Sequence, residues 1–145
     1  MIEYTISKST DIEILDHFKQ CNQEFFQSLC KRVNIEKYIK KLVENSMRFE
    51  VWDKNKLIGL VAVYFNDTIN YYGYVTNVSV VKQFTGKSIA TELLKFTFEY
   101  AKKHNFKEII LEVATDNYSA ICLYEKLNFT VSEKKEKTLI MKYIV

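Results

Sequence analysis

Residues 77–129 constrain this chain more than any other stretch of it. They read NVSVVKQFTGKSIATELLKFTFEYAKKHNFKEIILEVATDNYSAICLYEKLNF. A β-rich run at 78–81 enters a short polar turn at 83–87. The turn opens into a long amphipathic helix, expected over about 86–104, whose buried stripe is Ile89, Ala90, Leu93, Leu94, Thr97 and Ala101. A second apolar run at 109–113 follows, and then a shorter helix carrying Tyr124. Strand, glycine turn, helix, strand, helix is a plan for holding a phosphate-bearing ligand on a helix N-terminus. Orphan amides and the helix dipole both favour negative charge there.

The rest of the chain supplies the elements around this unit. Ile2, Tyr4 and Ile6 alternate with polar residues, as in a strand. Thr10 or Asp11 can cap a helix with Ile12, Leu15, Phe18 and Cys21 as its apolar stripe. Helices are expected over 23–32 and 34–45, the second with Ile35, Tyr38, Ile39, Leu42 and Val43 at helical period. Residues 49–52 and 57–64 read as strands joined by Asp53, Lys54, Asn55 and Lys56, a turn that suits left-handed backbone. Residues 71–81 form the next strand. The run at 109–113 reads as a central strand covered on both faces. Asn117 is expected to cap a helix that buries Ala120, Leu123, Tyr124 and Leu127. A terminal hairpin, 129–134 with 138–145, turns around Lys135 and Glu136.

At 145 residues the chain is expected to form one domain, 1–145, with a single sizeable core. A net charge of +3, with acids interleaved among the lysines, argues against a nucleic-acid partner. No stretch has the apolar length of a membrane span, and the N-terminus lacks a signal-peptide pattern. Cys21, Cys30 and Cys122 show no paired spacing, which fits a reducing cytoplasm and no metal site.

Thr85, Gly86, Lys87, Ser88, Ile89 and Ala90 resemble the signature (Gln/Arg)-x-x-Gly-x-(Gly/Ala) of the GNAT family of acyl-CoA N-acetyltransferases. Ala90 matches; Thr85 and Ser88 depart from it. Asn117, Ala120, Leu123, Tyr124 and Phe129 fall in place on the family's downstream run Asn-x-x-Ala-x-x-Leu-Tyr-x-x-x-Gly-Phe, with Asn128 where Gly is usual. The resemblance covers about the C-terminal half. It implies an α/β fold: a mixed, mostly antiparallel sheet with helices on both faces. A central parallel pair, here 71–81 with 109–113, would splay apart to admit the pantetheine arm of acetyl-CoA. It also implies acetyl-CoA as cosubstrate and no metal.

The residues then take roles. A pyrophosphate needs converging amides at short range. Gly86 permits the tight turn, and Ser88 and Ala90 keep bulk away. Thr91 offers a hydroxyl, and Lys87 a cation in place of the missing Arg or Gln; Thr85 and Ile89 complete the turn. The bland alternative is an ordinary loop-to-helix junction. Val78, Ser79 and Val80 belong to the strand whose backbone, in the family, bonds the pantetheine amides and polarises the thioester carbonyl. The side chains of Asn77 and Ser79 point to the face opposite Val78 and Val80, where an acceptor would arrive. Asn117 caps its helix and, by resemblance, touches the cofactor.

Tyr124 would protonate the departing thiolate as a general acid; the alternative is a packing tyrosine. Glu112, a carboxylate within an apolar strand, would take a proton from the incoming ammonium, its pKa raised by desolvation. Its spacing to Tyr124 is similar to the base-to-acid spacing of the protein N-terminal acetyltransferase branch, and the alternative is a carboxylate that reaches solvent or pairs with lysine. Cys122 reads as packing, and His17 and His104 fall in no motif.

Two functions compete. One is an acetyltransferase working by direct attack in a ternary complex; the other is a non-catalytic acyl-CoA-binding module on the same fold. Phe25, Phe26, Tyr38, Tyr71, Tyr72 and Tyr74 are expected to wall in a small primary amine, with protein N-termini or lysines as the competing acceptors. A monomer or a homodimer fits equally.

Overall fold

The computed structural model describes residues 2–145; residue 1, at the edge of the expected domain, lies outside them. Among the described residues seven strands form one sheet in the order β1-β2-β3-β4-β5-β7-β6. They are β1 (Ile2–Ile6), β2 (Met47–Asp53), β3 (Lys56–Tyr64), β4 (Tyr72–Val80), β5 (Glu108–Ala114), β6 (Thr130–Lys134) and β7 (Thr138–Ile144). Every neighbouring pair is antiparallel except β4 with β5. That parallel pair runs from Tyr72↔Glu108 only as far as Val75↔Leu111. Beyond it the strands part, so the splayed central pair implied by the family resemblance is present.

A bulge prepares the parting. Ala62 pairs with Asn77 and Val63 with Val75, leaving Thr76 as the extra residue of β4. An extra residue flips the alternation of side chains. Gly73 and Val75 face the same side of the sheet before it as Val78 and Val80 do after it. Asn77 and Ser79 therefore point to the other side, the face expected, but are buried there instead of standing open to an acceptor.

Helices α1 (Asp11–Gln20), α2 (Gln23–Arg32) and α3 (Ile35–Asn45) cover one face through Ile14, Phe18, Leu29, Ile39 and Leu42 against Leu57, Leu60 and Ala62 of β3. The expected stripe of α1 needs correction. Ile12 is 77% exposed, and Ile14, His17, Phe18 and Cys21 are the buried set. Apolar residues at 12, 14 and 15 allow two registers of the helix on the sheet. The register that buries His17 wins because the histidine finds partners there, described below.

Helix α4 (Ile89–Lys103) covers the opposite face with Leu93, Leu94, Thr97 and Ala101 buried. It starts three residues later than the sequence suggests, because Lys82–Phe84 forms a 3₁₀ turn and Ser88 is the N-cap. Gly59 lets its first turn approach β3: a Cβ there would lie 2.6 Å from Ile89 Cγ2 and 2.7 Å from Val51 Cγ1. Helix α5 (Tyr118–Lys126) follows its Asn117 cap as expected and buries Tyr124.

The expectation that residues 109–113 are covered on both faces is corrected. Ile109, Leu111 and Val113 are buried, whereas Glu112 and Ala114 on the other face are exposed. The helices α1 to α3 pack over β3 and Trp52 of β2 and leave that half of the sheet open.

Candidate active site

The N-terminus of α4 differs from those of the other four α-helices. Thr10, Asn22, Asn34 and Asn117 each accept a hydrogen bond from a first-turn amide of their own helix. Ser88 makes no such bond. Its backbone is left-handed, at φ 64°. The first bond within α4 is Glu92 N donating to the Ser88 carbonyl at 3.0 Å. Helix geometry therefore leaves the amides of Ile89, Ala90 and Thr91 without a helical acceptor. The turn before them also needs positive φ at Gly86, 77°, where a Cβ would meet nothing within 4 Å. Backbone amides with open space before them fit an anion.

These amides border a cavity of about 570 Å³ that reaches the parted end of β4 and the inner side of α5. From β4 it is lined by Val78, Ser79 and Val80, and from the turn by Thr85, Gly86 and Ser88. Ile89, Ala90 and Thr91 supply its α4 wall, and Asn117 and Tyr124 its α5 wall. The structure thus brings together every residue expected to meet acetyl-CoA except Lys87. The Lys87 ammonium sits 5.3 Å from the centre of the Phe84 ring instead, outside the lining. Phe84, Ser119, Ala120 and Leu123 also line the cavity. Ala120 and Leu123 fall on the family's downstream run and on the packing face of α5 but carry no cofactor role in the sequence reading, and Phe84 and Ser119 carry no signal.

Two positions where the family favours glycine, Ser88 and Asn128, have left-handed backbone here, at φ 64° and 73°. Asn tolerates that region at small cost. Ser88 keeps the geometry of the turn without the glycine.

Tyr124 is 7% exposed and packs 5.5 Å from the Phe129 ring centre. Burial alone pushes its phenol up to about 12, so it holds its proton at neutral pH. Glu112 lies elsewhere. It projects from the opposite, open face of β5, accepts a 2.6 Å hydrogen bond from Thr138 Oγ1 and pairs with Lys135 at 3.8 Å. It does not line the cavity. The desolvated carboxylate pictured from the sequence is therefore a half-exposed, partnered one. Tyr74 stands on the same face, its phenol raised by burial first and by the Glu112 charge second.

The six aromatics expected to form one wall are dispersed. Phe25 packs edge-on against Phe18 at 6.0 Å, and Phe26 joins the same helical core. Tyr71 turns to Phe106 at 5.8 Å, on the α4 side. Tyr38 reaches β4, its hydroxyl donating to the Thr76 carbonyl at 3.0 Å. Tyr72 and Tyr74 stand exposed on the open face. Sequence reasoning missed His17, which is buried at 1% exposure under β4 and contacts Ser79 Oγ and the Leu57 carbonyl, each at 2.8 Å. Its position in the Ile14, Phe18, Cys21 stripe was the available signal.

Residues 12–129 match the model of the acetyltransferase (GNAT) family. The chain belongs to the GNAT family. An N-alpha-acetyltransferase of Saccharolobus solfataricus is 46% identical over 68 residues, which are 46% of this chain and 38% of that protein. N-alpha-acetyltransferase 30 of Schizosaccharomyces pombe is 33% identical over 85 residues, 56% of this chain and 55% of that protein. The match thus spans about half or less of the length of these relatives. Among solved structures, the PaiA N-acetyltransferase of Thermoplasma acidophilum in complex with coenzyme A superposes with a TM-score of 0.81 at 17% identity, over 99% of each chain. The ribosomal-protein-S18-alanine N-acetyltransferase of Escherichia coli gives 0.77 at 15% identity, over 99% of this chain and 94% of that one. Both share the GNAT fold described here. No helix among the described residues is long and apolar enough to cross a membrane, and none of their His, Cys, Asp and Glu side chains cluster as a metal site.

Proposed function

We propose that this chain is an acetyl-CoA-dependent N-acetyltransferase, a single cytoplasmic catalytic domain that moves an acetyl group to a primary amine by direct attack. One observation carries the reading: the uncapped N-terminus of α4, the parted strand β4 and the buried phenol of Tyr124 all open on the same cavity. The amides of Ile89, Ala90 and Thr91 would hold the pyrophosphate. A main-chain amide of β4 near Val78 would polarise the thioester carbonyl. Tyr124 would deliver its proton to the departing thiolate. Glu112 would accept the ammonium proton through water, since it stands outside the cavity.

The acceptor would arrive from the face that Asn77, Tyr74 and Glu112 share. A small amine is supported by the exposed rings of Tyr72 and Tyr74. A polypeptide N-terminus is supported more strongly. The six aromatics do not enclose a compact ligand, the face beside β5 is open, and two relatives carry names of N-alpha-acetyltransferases.

Acetyl-CoA should raise the melting temperature, and release of free thiol should depend on an added amine. A thermal shift without acceptor-dependent thiol release, across both an N-terminal peptide library and a panel of small amines, would leave a binding module. A small amine turned over with no peptide preference would reverse the choice of acceptor.

A further inference from the structure

Beyond the bulge at Thr76, β4 has lost β5 as a partner and keeps only β3. Its free edge faces the cavity through Val78, Ser79 and Val80. A strand paired on one side is free to shift unless its side chains are held. Two are held, both from the helical layer on the acceptor side. Tyr38 of α3 bonds the carbonyl and hydroxyl of Thr76, each at 3.0 Å, at the bulge itself. His17 of α1 bonds Ser79 at 2.8 Å, near the far end.

The His17 contact is one link of a buried chain. His17 Nδ1 faces the Leu57 carbonyl, which only accepts, so the neutral ring donates there. Nε2 must then accept the Ser79 hydroxyl proton. That proton is no longer available to Asn77, 2.8 Å from Ser79 Oγ. The chain is complete when the Asn77 amide presents its NH₂ group to Ser79, a half-turn that exchanges two nearly identical atoms. Each link then has one donor and one acceptor, running from Asn77 through Ser79 and His17 to Leu57 on β3. The chain ties α1 to both strands at the level of the cavity.

We propose that His17 is a positioning residue: acting through Ser79, it holds the unpaired end of β4 where its backbone meets the thioester. This rests on acetyl-CoA lying in the cavity beside β4. It separates two ends of the ligand. The pyrophosphate seat on the α4 turn lies outside the reach of His17, whereas the thioester end depends on it.

Wild-type protein is first titrated with CoA and assayed with an acceptor that it turns over. No CoA binding by the wild type would overturn the cofactor site itself rather than the role of His17. His17→Leu and Ser79→Ala are then compared with His17→Gln, whose amide can still reach Ser79. Ser79→Ala removes one oxygen and keeps the core filled, so it reports even if His17→Leu does not fold. The expected result is a fall of about tenfold in kcat per folded molecule for His17→Leu and Ser79→Ala, as for a displaced catalytic donor. The dissociation constant of CoA should change less than about twofold, and His17→Gln should recover most of the rate. A purely structural histidine would lower the melting temperature and leave kcat of the folded fraction unchanged. Wild-type kcat in Ser79→Ala, or a loss of CoA affinity as large as the loss in kcat, overturns the proposal.

Discussion

Tyr124 and Glu112 stand on opposite faces of the sheet. Tyr124 belongs to the core beneath α4 with Leu111 and Val113, while Glu112, between those two residues on β5, points to the open face and Thr138. The proposed acid and base would thus serve the two sides of the strand parting, the thiolate side and the amine side.

The two substitutions should therefore behave differently. Tyr124→Phe keeps the packing and removes the proton, so kcat should fall roughly 10²–10⁴-fold with acetyl-CoA affinity little changed. Glu112→Gln acts on an exposed carboxylate already shared with Thr138 and Lys135, so its loss should be nearer tenfold. The Glu112→Gln defect should also shrink as pH rises, because free amine replaces ammonium without help. Rate–pH profiles of both variants decide this. Equal defects that ignore pH would remove Glu112 from proton transfer, and normal turnover in Tyr124→Phe would reduce that residue to packing.

Gly86→Asp should abolish the thermal shift given by acetyl-CoA. The φ of 77° is one that Asp adopts more readily than most residues, and a Cβ at Gly86 meets nothing within 4 Å. The variant should fold, and its added carboxylate should repel the pyrophosphate from the α4 amides. Differential scanning fluorimetry of both proteins with and without ligand is the measurement. A shift of wild-type size in the variant would move the pyrophosphate elsewhere.

Much of this was legible in the sequence because it depends on short-range patterns. Helix α2 falls on the residues expected, and the glycine turn, the Asn117 cap and Tyr124 are spaced along single elements. What was not legible depends on contacts across the fold. The bulge at Thr76 sets which side chains of β4 face α1, and nothing local announces it. Glu112 has apolar neighbours in sequence, but alternation along β5, which is covered on one face only, puts it in solvent. The six aromatics, from α2, α3 and the chain entering and forming β4, share a composition signal but not a place, and packing sends Phe25 to Phe18 and Tyr71 to Phe106. Nothing local in the sequence marks Arg48 and Glu50, whose partners come from across the fold.

Those two charges are buried, Arg48 at 3% and Glu50 at 0% exposure, with Arg48 Nε 3.4 Å from Glu50 Oε2. Glu50 also accepts from Thr5 Oγ1 at 2.7 Å, from the amides of Lys8 and Ser9 at 2.8 and 3.0 Å, and from the Ser9 hydroxyl. Glu50→Ala would strand these donors and leave the guanidinium without its counter-charge. Removing one partner of a buried pair costs about 3–5 kcal/mol. The melting temperature should drop on the order of 10 °C. A drop of a degree or two would show that water replaces the carboxylate.

The last prediction concerns pH and His17. Burial holds this imidazole down to about 4, with the Leu57 carbonyl and the Asp16 charge opposing the shift only in part. In the unfolded chain it would titrate near 6.5. Between those values the unfolded chain binds a proton that the folded chain refuses. Stability from this group is therefore fully present above about 6.5, falls as pH falls, and levels off below about 4. The loss between pH 7 and pH 4.5 should be roughly 2 kcal/mol. Carboxylates contribute their own pH dependence, so the comparison must be with His17→Gln, which cannot titrate at this position. Urea unfolding at both pH values should show the wild type losing roughly 2 kcal/mol more than the variant. The thiol of Cys21, 3.6 Å from His17 Nε2 and itself pushed up to about 12, stays neutral throughout and adds no slope. If both proteins lose the same stability, His17 takes up a proton as readily in the folded state as in the unfolded chain, and the buried chain through Ser79 holds only while the ring is neutral, above about 6.5.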